Sequence, residues 1–175
     1  MAEYAKIVTI DQFNTIRKRK DLGVVGLTSG GFDPIHPGHM SSILESKHYC
    51  DTLVVVVNGD WFLTNKKGKP FQDLKTRCQI VSCTKGVDYV IPFEVENDNT
   101  VCYPLARIKP DLFLKGGDRN DISSLPEGKT CNTLHIKVLT QIGWDKHWSS
   151  SNFLRDWSDF CIKTHEDKQR GKGLA

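Results

Sequence analysis

No stretch of this 175-residue chain approaches the eighteen or so apolar residues that a membrane-spanning helix needs. The longest apolar run, TLVVVV (52–57), is strand length. The opening MAEYAKIVTIDQ lacks the basic-then-apolar order of an export signal. Six cysteines (Cys50, Cys78, Cys83, Cys102, Cys131, Cys161) are scattered, with no C-x-x-C pair and no paired Cys/His spacing. That usage points to reduced thiols in a cytoplasmic protein, and away from a disulfide framework or a structural zinc site. Charge is nearly balanced: 24 Lys and Arg against 21 Asp and Glu leave +3, too little for a nucleic-acid coat or a membrane-surface binder. Strands that interleave aromatic and basic residues, as a nucleic-acid platform would, are missing as well. With no internal repeat or low-complexity segment, the length fits one domain over residues 1–158 and a polar, frayed tail over 159–175.

What is present alternates. AKIVTI reads as a short strand, and a helix follows from Asp11 toward a stop at Gly23. VVGLTS (24–29) is a buried-type strand that breaks at Gly30-Gly31. The spacing of Met40, Ile43, Leu44 and Tyr49 predicts a helix from Pro37 to about Tyr49. DTLVVVVNGD is a β-branched run without alternation, as a strand covered on both faces requires. KKGKP follows as a basic glycine loop, then FQDLKTRCQIVSCTKG as a helix ended by Gly86. VDYVIPF is the next strand, NTVCYPLARI a short helix, and PDLFLKGGD a strand running into a second glycine pair. A loop with Pro126 and Gly128 leads to the strand LHIKVLT and to a serine-capped helix, SSSNFLRDWSDFCIK. The expected architecture is α/β, a three-layer sandwich with a mostly parallel five-stranded sheet and helices on both faces.

Ligands of such sheets bind at the carboxyl ends of the strands, near a topological switch point. Three junctions fall on that edge: Gly30-Gly31, Gly116-Gly117 and Ser149 to Ser151. In GGFDPIHPGHM (30–40), Pro37 suits a first helical turn, whose open backbone donors and dipole favour an anion. His36 and His39 lie three apart and can face one spot beside that turn, while Gly38 leaves room for a flat ring or a phosphate. Two imidazole donors around one phosphate suit phosphoryl or nucleotidyl transfer. Two histidines in a turn can also be incidental, but the position between a buried strand and a helix favours a phosphate-holding pair. No third residue has metal-ligand spacing with them. Lys66, Lys67 and Lys69 offer a basic loop able to neutralise a leaving pyrophosphate, with Arg77 on the next helix. Lys115 and Asp118 flank the second glycine pair, and Ser149, Ser150 and Ser151 begin a second helix end.

GGFDPIHPGH resembles the H-x-G-H signature of the nucleotidyltransferase superfamily of cytidylyltransferases and adenylyltransferases. KIVTIDQF, VVVVNGD, KGKPFQDLKTR, VDYVIPF and KPDLFLKGGD, in that order, resemble the D-glycero-β-D-manno-heptose 1-phosphate adenylyltransferases. The resemblance covers about Lys6 to Leu154. It implies a Rossmann-like fold, phosphate-bound Mg²⁺, a nucleoside triphosphate (ATP, with CTP as the alternative) and a phosphorylated small-molecule acceptor. The acceptor phosphate would attack the α-phosphate and release pyrophosphate. It also implies a homo-oligomer, expected as a dimer. His36, His39 and one basic-loop lysine, Lys69, carry over as catalytic groups. Gly31, Phe32, Gly38, Arg77, Lys115, Gly116, Gly117, Asp118 and Ser149 to Ser151 carry over as nucleotide contacts. Asp33, Asn58, Lys66 and Lys67 fall to the acceptor side.

Three segments depart from the heptose branch. FDPIH stands where F-D-I-L-H is expected, and resembles nicotinate-mononucleotide and phosphopantetheine adenylyltransferases. The S-T-T has become serines, preceded by GWDKHW, whose Trp144, His147 and Trp148 have no counterpart. The loop RNDISSLPEGKTCNT also differs. Two other readings stay open: a CTP-dependent cytidylyltransferase acting on glycerol 3-phosphate or a related alcohol phosphate, and a nucleotide-binding regulator without turnover. A regulator would not need the histidine pair.

Overall fold

A computed structural model describes residues 4–117, 121–145 and 147–169. Its framework is a six-stranded sheet in the order β1-β4-β3-β2-β5-β6, and every neighbouring pair is parallel. The strands are β1 (Lys6–Ile7), β2 (Val25–Gly30), β3 (Thr52–Asn58), β4 (Tyr89–Phe93), β5 (Leu112–Gly116) and β6 (Lys137–Ile142). The two-residue β1 pairs with β4 at one edge, so the five expected core strands gain a sixth. Between them run the helices α1 (Ile10–Arg19), α2 (Pro37–His48), α3 (Asp60–Lys67), α4 (Leu74–Ser82), α5 (Cys102–Ile108), α6 (Pro126–Thr133) and α7 (Ser150–Gln169).

The β-branched run of β3 explains the layering. Leu53 through Val57 are all fully buried. Successive side chains of a strand point to opposite faces, and here Val54 and Val56 enter one core while Leu53, Val55 and Val57 enter the other. The first core takes Phe13 of α1, Leu105 and Ile108 of α5, and Cys131 of α6. The second takes Ile43 of α2 and Cys78 and Val81 of α4. Burial on both faces is why an unbroken apolar run, with no polar alternation, is stable in a parallel sheet.

From β2 the chain winds out through β3 to β4, then returns to place β5 on the other side of β2. The switch point therefore lies between the carboxyl ends of β2 and β5, where Gly30-Gly31 and Gly116-Gly117 stand.

Four sequence readings are corrected. Residues 60–67 are helical, so Lys66 and Lys67 sit in the last turn of α3 and only Gly68 onward is loop. The carboxylate of Glu94, beyond β4, accepts hydrogen bonds from Asp60 N (2.5 Å) and Trp61 N (3.0 Å) and caps that helix from a distance. The Pro126–Gly128 segment is the start of α6, with proline in the first turn. His135 adopts φ +56°, which delays β6 to Lys137. Finally, α7 runs on to Gln169, so 159–169 are helix where a frayed tail is expected. Among the described residues no helix is long and apolar enough to cross a membrane, and the six cysteines are free thiols.

Candidate active site

The three junctions meet around one cavity of about 520 Å³ at the switch point, within the range of small-molecule sites. Its floor is the end of β2, from Thr28 to Gly31. One wall comes from the β3 and β4 side (Asn58, Phe62, Lys66, Asn99), the other from the β5 and β6 side (Lys115, Gly116, Gly117, Trp144, Trp148).

His36 is the N-cap of α2, with extended backbone, and Pro37 and Gly38 open the helix. The His36 Nδ1 accepts a long hydrogen bond from His39 N (3.3 Å), which also donates to the His36 carbonyl (2.9 Å). An accepting Nδ1 places the neutral ring's proton on Nε2. The two imidazoles stack, with centroids 3.7 Å apart and planes 17° from parallel. Phe32, at φ +51°, sets its ring edge-on to His39 at 5.0 Å. Burial lowers the pKa of His36. Burial first, then repulsion from His36, Lys66 and Lys67, drives His39 down to about 3. Both rings are therefore neutral donors at pH 7. Pro37 has no N–H and that of His39 is engaged by His36, which leaves the Gly38 N–H as the open backbone donor of this turn.

Gly116 lets β5 approach α2: an added Cβ there would overlap the Ser42 side chain and sit 3.1 Å from the Ile142 carbonyl. Gly117 takes φ +93°, a conformation natural to glycine. Ser149 Oγ accepts from Asn152 N (3.4 Å) at the head of α7, and Ser150 Oγ donates to the Pro34 carbonyl (2.8 Å), tying that head to the loop before α2. Ser149, Ser150 and Ser151 all border the cavity, as do Gly31, Phe32, Gly38, Asn58, Lys66, Lys115, Gly116 and Gly117. Asp118 lies outside the described residues.

Four candidates are not brought into this cavity. Arg77, which the resemblance places against the nucleotide, is fully buried. It donates to the carbonyls of Gln72 (2.9 Å), Gly31 (2.7 Å) and Asn58 (2.6 Å) and to Asp60 Oδ1 (2.6 Å), fastening β2, β3 and α3 beneath the site. Asp33 is also buried, accepting from Phe71 N and Gln72 N (2.8 Å each) and pairing with Lys67 Nζ (2.6 Å). Those bonds make Asp33 and Lys67 an anchor of the loop after α3, with neither facing the acceptor. The same anchoring, after the turn at Gly68 (φ +90°), carries Lys69 away from the histidines. Lys69 borders a second cavity of about 320 Å³ with Phe71, Ser151, Leu154 and Arg155.

Sequence reasoning passed over Phe62, Asn99, Glu127 and Arg155. Glu127, beside Pro126, carried a helix-start signal, whereas nothing local marks Asn99. The unmatched tryptophans have a place: Gly143 N donates to Glu45 Oε2 (2.8 Å) and Trp144 N to Ser41 Oγ (3.1 Å), so this segment is strapped onto α2. The Trp148 ring then lies over Gly38, where a Cβ would be 3.6 Å from its Cε3.

A family model described as cytidylyltransferase-like matches residues 27–152. The chain belongs to the cytidylyltransferase-like family. That makes it, by kinship, a member of the nucleotidyltransferases. The bifunctional protein HldE of Nitrobacter hamburgensis is 38% identical over 96 residues, 54% of this chain and 19% of that protein. HldE of Chromohalobacter salexigens is 34% identical over 121 residues, 67% of this chain and 25% of that protein. The matched region thus spans between a fifth and a quarter of these relatives. A lipopolysaccharide core biosynthesis protein from Thermoplasma volcanium superposes with a TM-score of 0.59 at 30% identity, covering 70% of this chain and 99% of that one. A pantoate-beta-alanine ligase from Francisella tularensis superposes at 0.58 with 16% identity, a likeness of fold alone.

Proposed function

We propose that this cytidylyltransferase-like chain transfers AMP from ATP to a phosphorylated small molecule, a sugar 1-phosphate such as heptose 1-phosphate, and releases pyrophosphate. The observation that carries this reading is the stacked His36–His39 pair at the open end of α2, facing a cavity shared by both glycine junctions and the serine helix head.

In this reaction an acceptor phosphate oxygen forms a bond to the α-phosphorus, and the bond from that phosphorus to the bridging oxygen breaks. Pyrophosphate leaves with the electron pair, and no bond to the protein forms. Catalysis is then alignment plus stabilisation of charge on the α-phosphate. His36 supplies Nε2–H, His39 its imidazole, and Gly38 a backbone N–H from the positive end of α2. Because both rings are neutral, positive charge comes from Lys66 and Lys115 on opposite walls. The β5 side, with Lys115, Gly116, Gly117 and Ser149 to Ser151, suits the nucleotide. The β3 side, with Asn58, Asn99 and Lys66, suits a hydroxylated acceptor.

Among the described residues no three His, Cys, Asp or Glu side chains converge as a metal cage. The donor set fits Mg²⁺ carried on the triphosphate, with Asp145 and Glu127 as the cavity-lining carboxylates. When bound, the ion neutralises phosphate charge.

Pyrophosphate release with Mg²⁺, crossing ATP and CTP against heptose 1-phosphate, other sugar 1-phosphates and glycerol 3-phosphate, tests the assignment. Release with ATP and a sugar 1-phosphate is expected. Release with CTP and an alcohol phosphate overturns the substrate assignment. His36→Ala is expected to lower turnover by about 10²–10³, and full rate in that variant overturns the role of the pair.

A further inference from the structure

Past its first turn, α7 stands off the body of the protein: of the described side chains from 155 to 168, all but Thr164 are exposed. Yet this helix is not polar. Phe153, Trp157 and Phe160 are 43%, 63% and 52% exposed. With Thr164 they follow one another at intervals of four, three and four residues, which puts them on one stripe of an α-helix. Leu154 and Cys161, each one residue further on, widen the stripe along one margin. Asp156 and Lys163 line the other margin, two turns apart. The Trp157 and Phe160 rings lie 5.3 Å apart within the stripe. A contiguous aromatic face on an exposed helix is the mark of an interaction surface.

We propose that this face pairs with α7 of a second copy of the chain, antiparallel, about a two-fold axis passing between residues 158 and 159. In that register Trp157 opposes Phe160 of the second copy, and Phe153 opposes Thr164. The charged margins then meet: Asp156 of each copy faces Lys163 of the other, so one helix surface complements itself, as a two-fold interface requires. A parallel pair fails this test. Residues on opposite margins five positions apart would meet there, bringing Lys163 against Lys168. A fully covered Phe or Trp ring buries about 150–250 Å², so six half-open rings contribute roughly 450–750 Å². Leu154, Cys161, Thr164 and the side-chain stems along both margins carry the total toward the ~1,200 Å² at which specific interfaces begin. The pairing is therefore a reversible dimer. Because the Phe153 ring stands 6.1 Å from His36, the tip of each partner helix comes to rest beside the other copy's cavity.

Sedimentation velocity of the whole chain across a concentration series tests the pairing. Wild-type protein is expected to move toward twice the 19.8 kDa chain mass as concentration rises. Trp157→Glu and Phe160→Glu, both at exposed positions, are expected to remain monomeric with unchanged circular dichroism and a melting temperature that no longer rises with concentration. Lys163→Asp is expected to weaken the dimer at least tenfold, and the double variant Asp156→Lys, Lys163→Asp to restore it. A wild-type chain still monomeric at roughly 500 µM, where even a Kd of about 1 mM would leave a detectable dimer fraction, overturns the proposal. So does a dimer indifferent to Trp157→Glu, or a charge swap that fails to restore pairing. A monomer that instead floats with phosphatidylcholine vesicles, and loses this with Trp157→Glu, overturns it in favour of a lipid surface.

Discussion

Replacing Arg77 separates two roles that an arginine in this position can play. If it touched the nucleotide, Arg77→Met would raise the nucleotide KM and leave the fold alone. The structure makes the opposite case. The guanidinium is fully buried, and its four hydrogen bonds hold three backbone carbonyls and Asp60. Methionine fills the volume but leaves the Gly31, Asn58 and Gln72 carbonyls without their donor. Each orphaned buried acceptor costs about 1–3 kcal/mol, moderated where water can enter. Removing one member of a buried ion pair costs about 3–5 kcal/mol, and Asp60, 38% exposed at its side chain, recovers part of that from solvent. Even at the low end of these ranges the net loss is at least about 4 kcal/mol, and for a chain of this size that lowers Tm by about 10–15 °C or more. Thermal unfolding by circular dichroism checks it. Arg77→Lys, which keeps the charge but not the planar fork, should fall between. Arg77→Met melting within about 2 °C of wild type, with a nucleotide KM tenfold higher, would refute the clamp and restore the ligand contact.

The remaining expectations concern the site itself. His39 is held near pKa 3 in the fold against 6.5 as a free side chain, so between those values the unfolded chain binds a proton that the native state excludes. Stability is then complete above about pH 6.5 and falls as pH drops, by up to ~2 kcal/mol at pH 5. Urea unfolding at pH 5 and 7.5 should show this slope in wild type and a flatter one in His39→Asn. Gly38→Ala puts a Cβ 3.1 Å from His36 Cε1 and 3.2 Å from Nδ1. The helix should gain up to about 0.5–1 kcal/mol while turnover falls at least about tenfold through displacement of the ring. Gly116→Ala meets Ser42 and should cost about 1–3 kcal/mol, with Ser42→Gly recovering most of it in the melting temperature.

Much of the frame was legible because the local signals agree with the tertiary outcome. The unalternated Leu53–Val57 run could only be a doubly covered strand, and Pro37 after His36 could open a helix but not continue one. The glycine junctions fell at strand ends, which the parallel sheet then gathered at its switch point. The failures share a different cause. The helix α3 begins at a glycine without a side-chain cap of its own, and its cap arrives from Glu94, 34 residues on. Arg77 and Asp33 carry the same charges whether they face a ligand or a buried partner. Only the convergence of Gly31, Asn58, Asp60, Phe71 and Gln72 on them decides it, and that convergence has no local signature.

Where the sequence departs from the heptose adenylyltransferases bears on which part of the reaction differs. Gly143 and Trp144 are fixed to α2 through Glu45 and Ser41, and Trp148 packs over Gly38, the glycine between the two histidines. Trp144 stands 5.9 Å from it, ring to ring, on the same wall. These indoles leave the imidazole stack untouched and reshape the space in front of it. The Trp148 ring over Gly38 narrows the approach to the open N–H of α2. On the function proposed above, transfer chemistry rests on His36, His39 and the charges around them, and selection between bases and between acceptors falls to the wall. On that proposal, a change of substrate relative to the heptose branch is written in Trp144 and Trp148, which border the cavity, while the histidine pair serves the same mechanism.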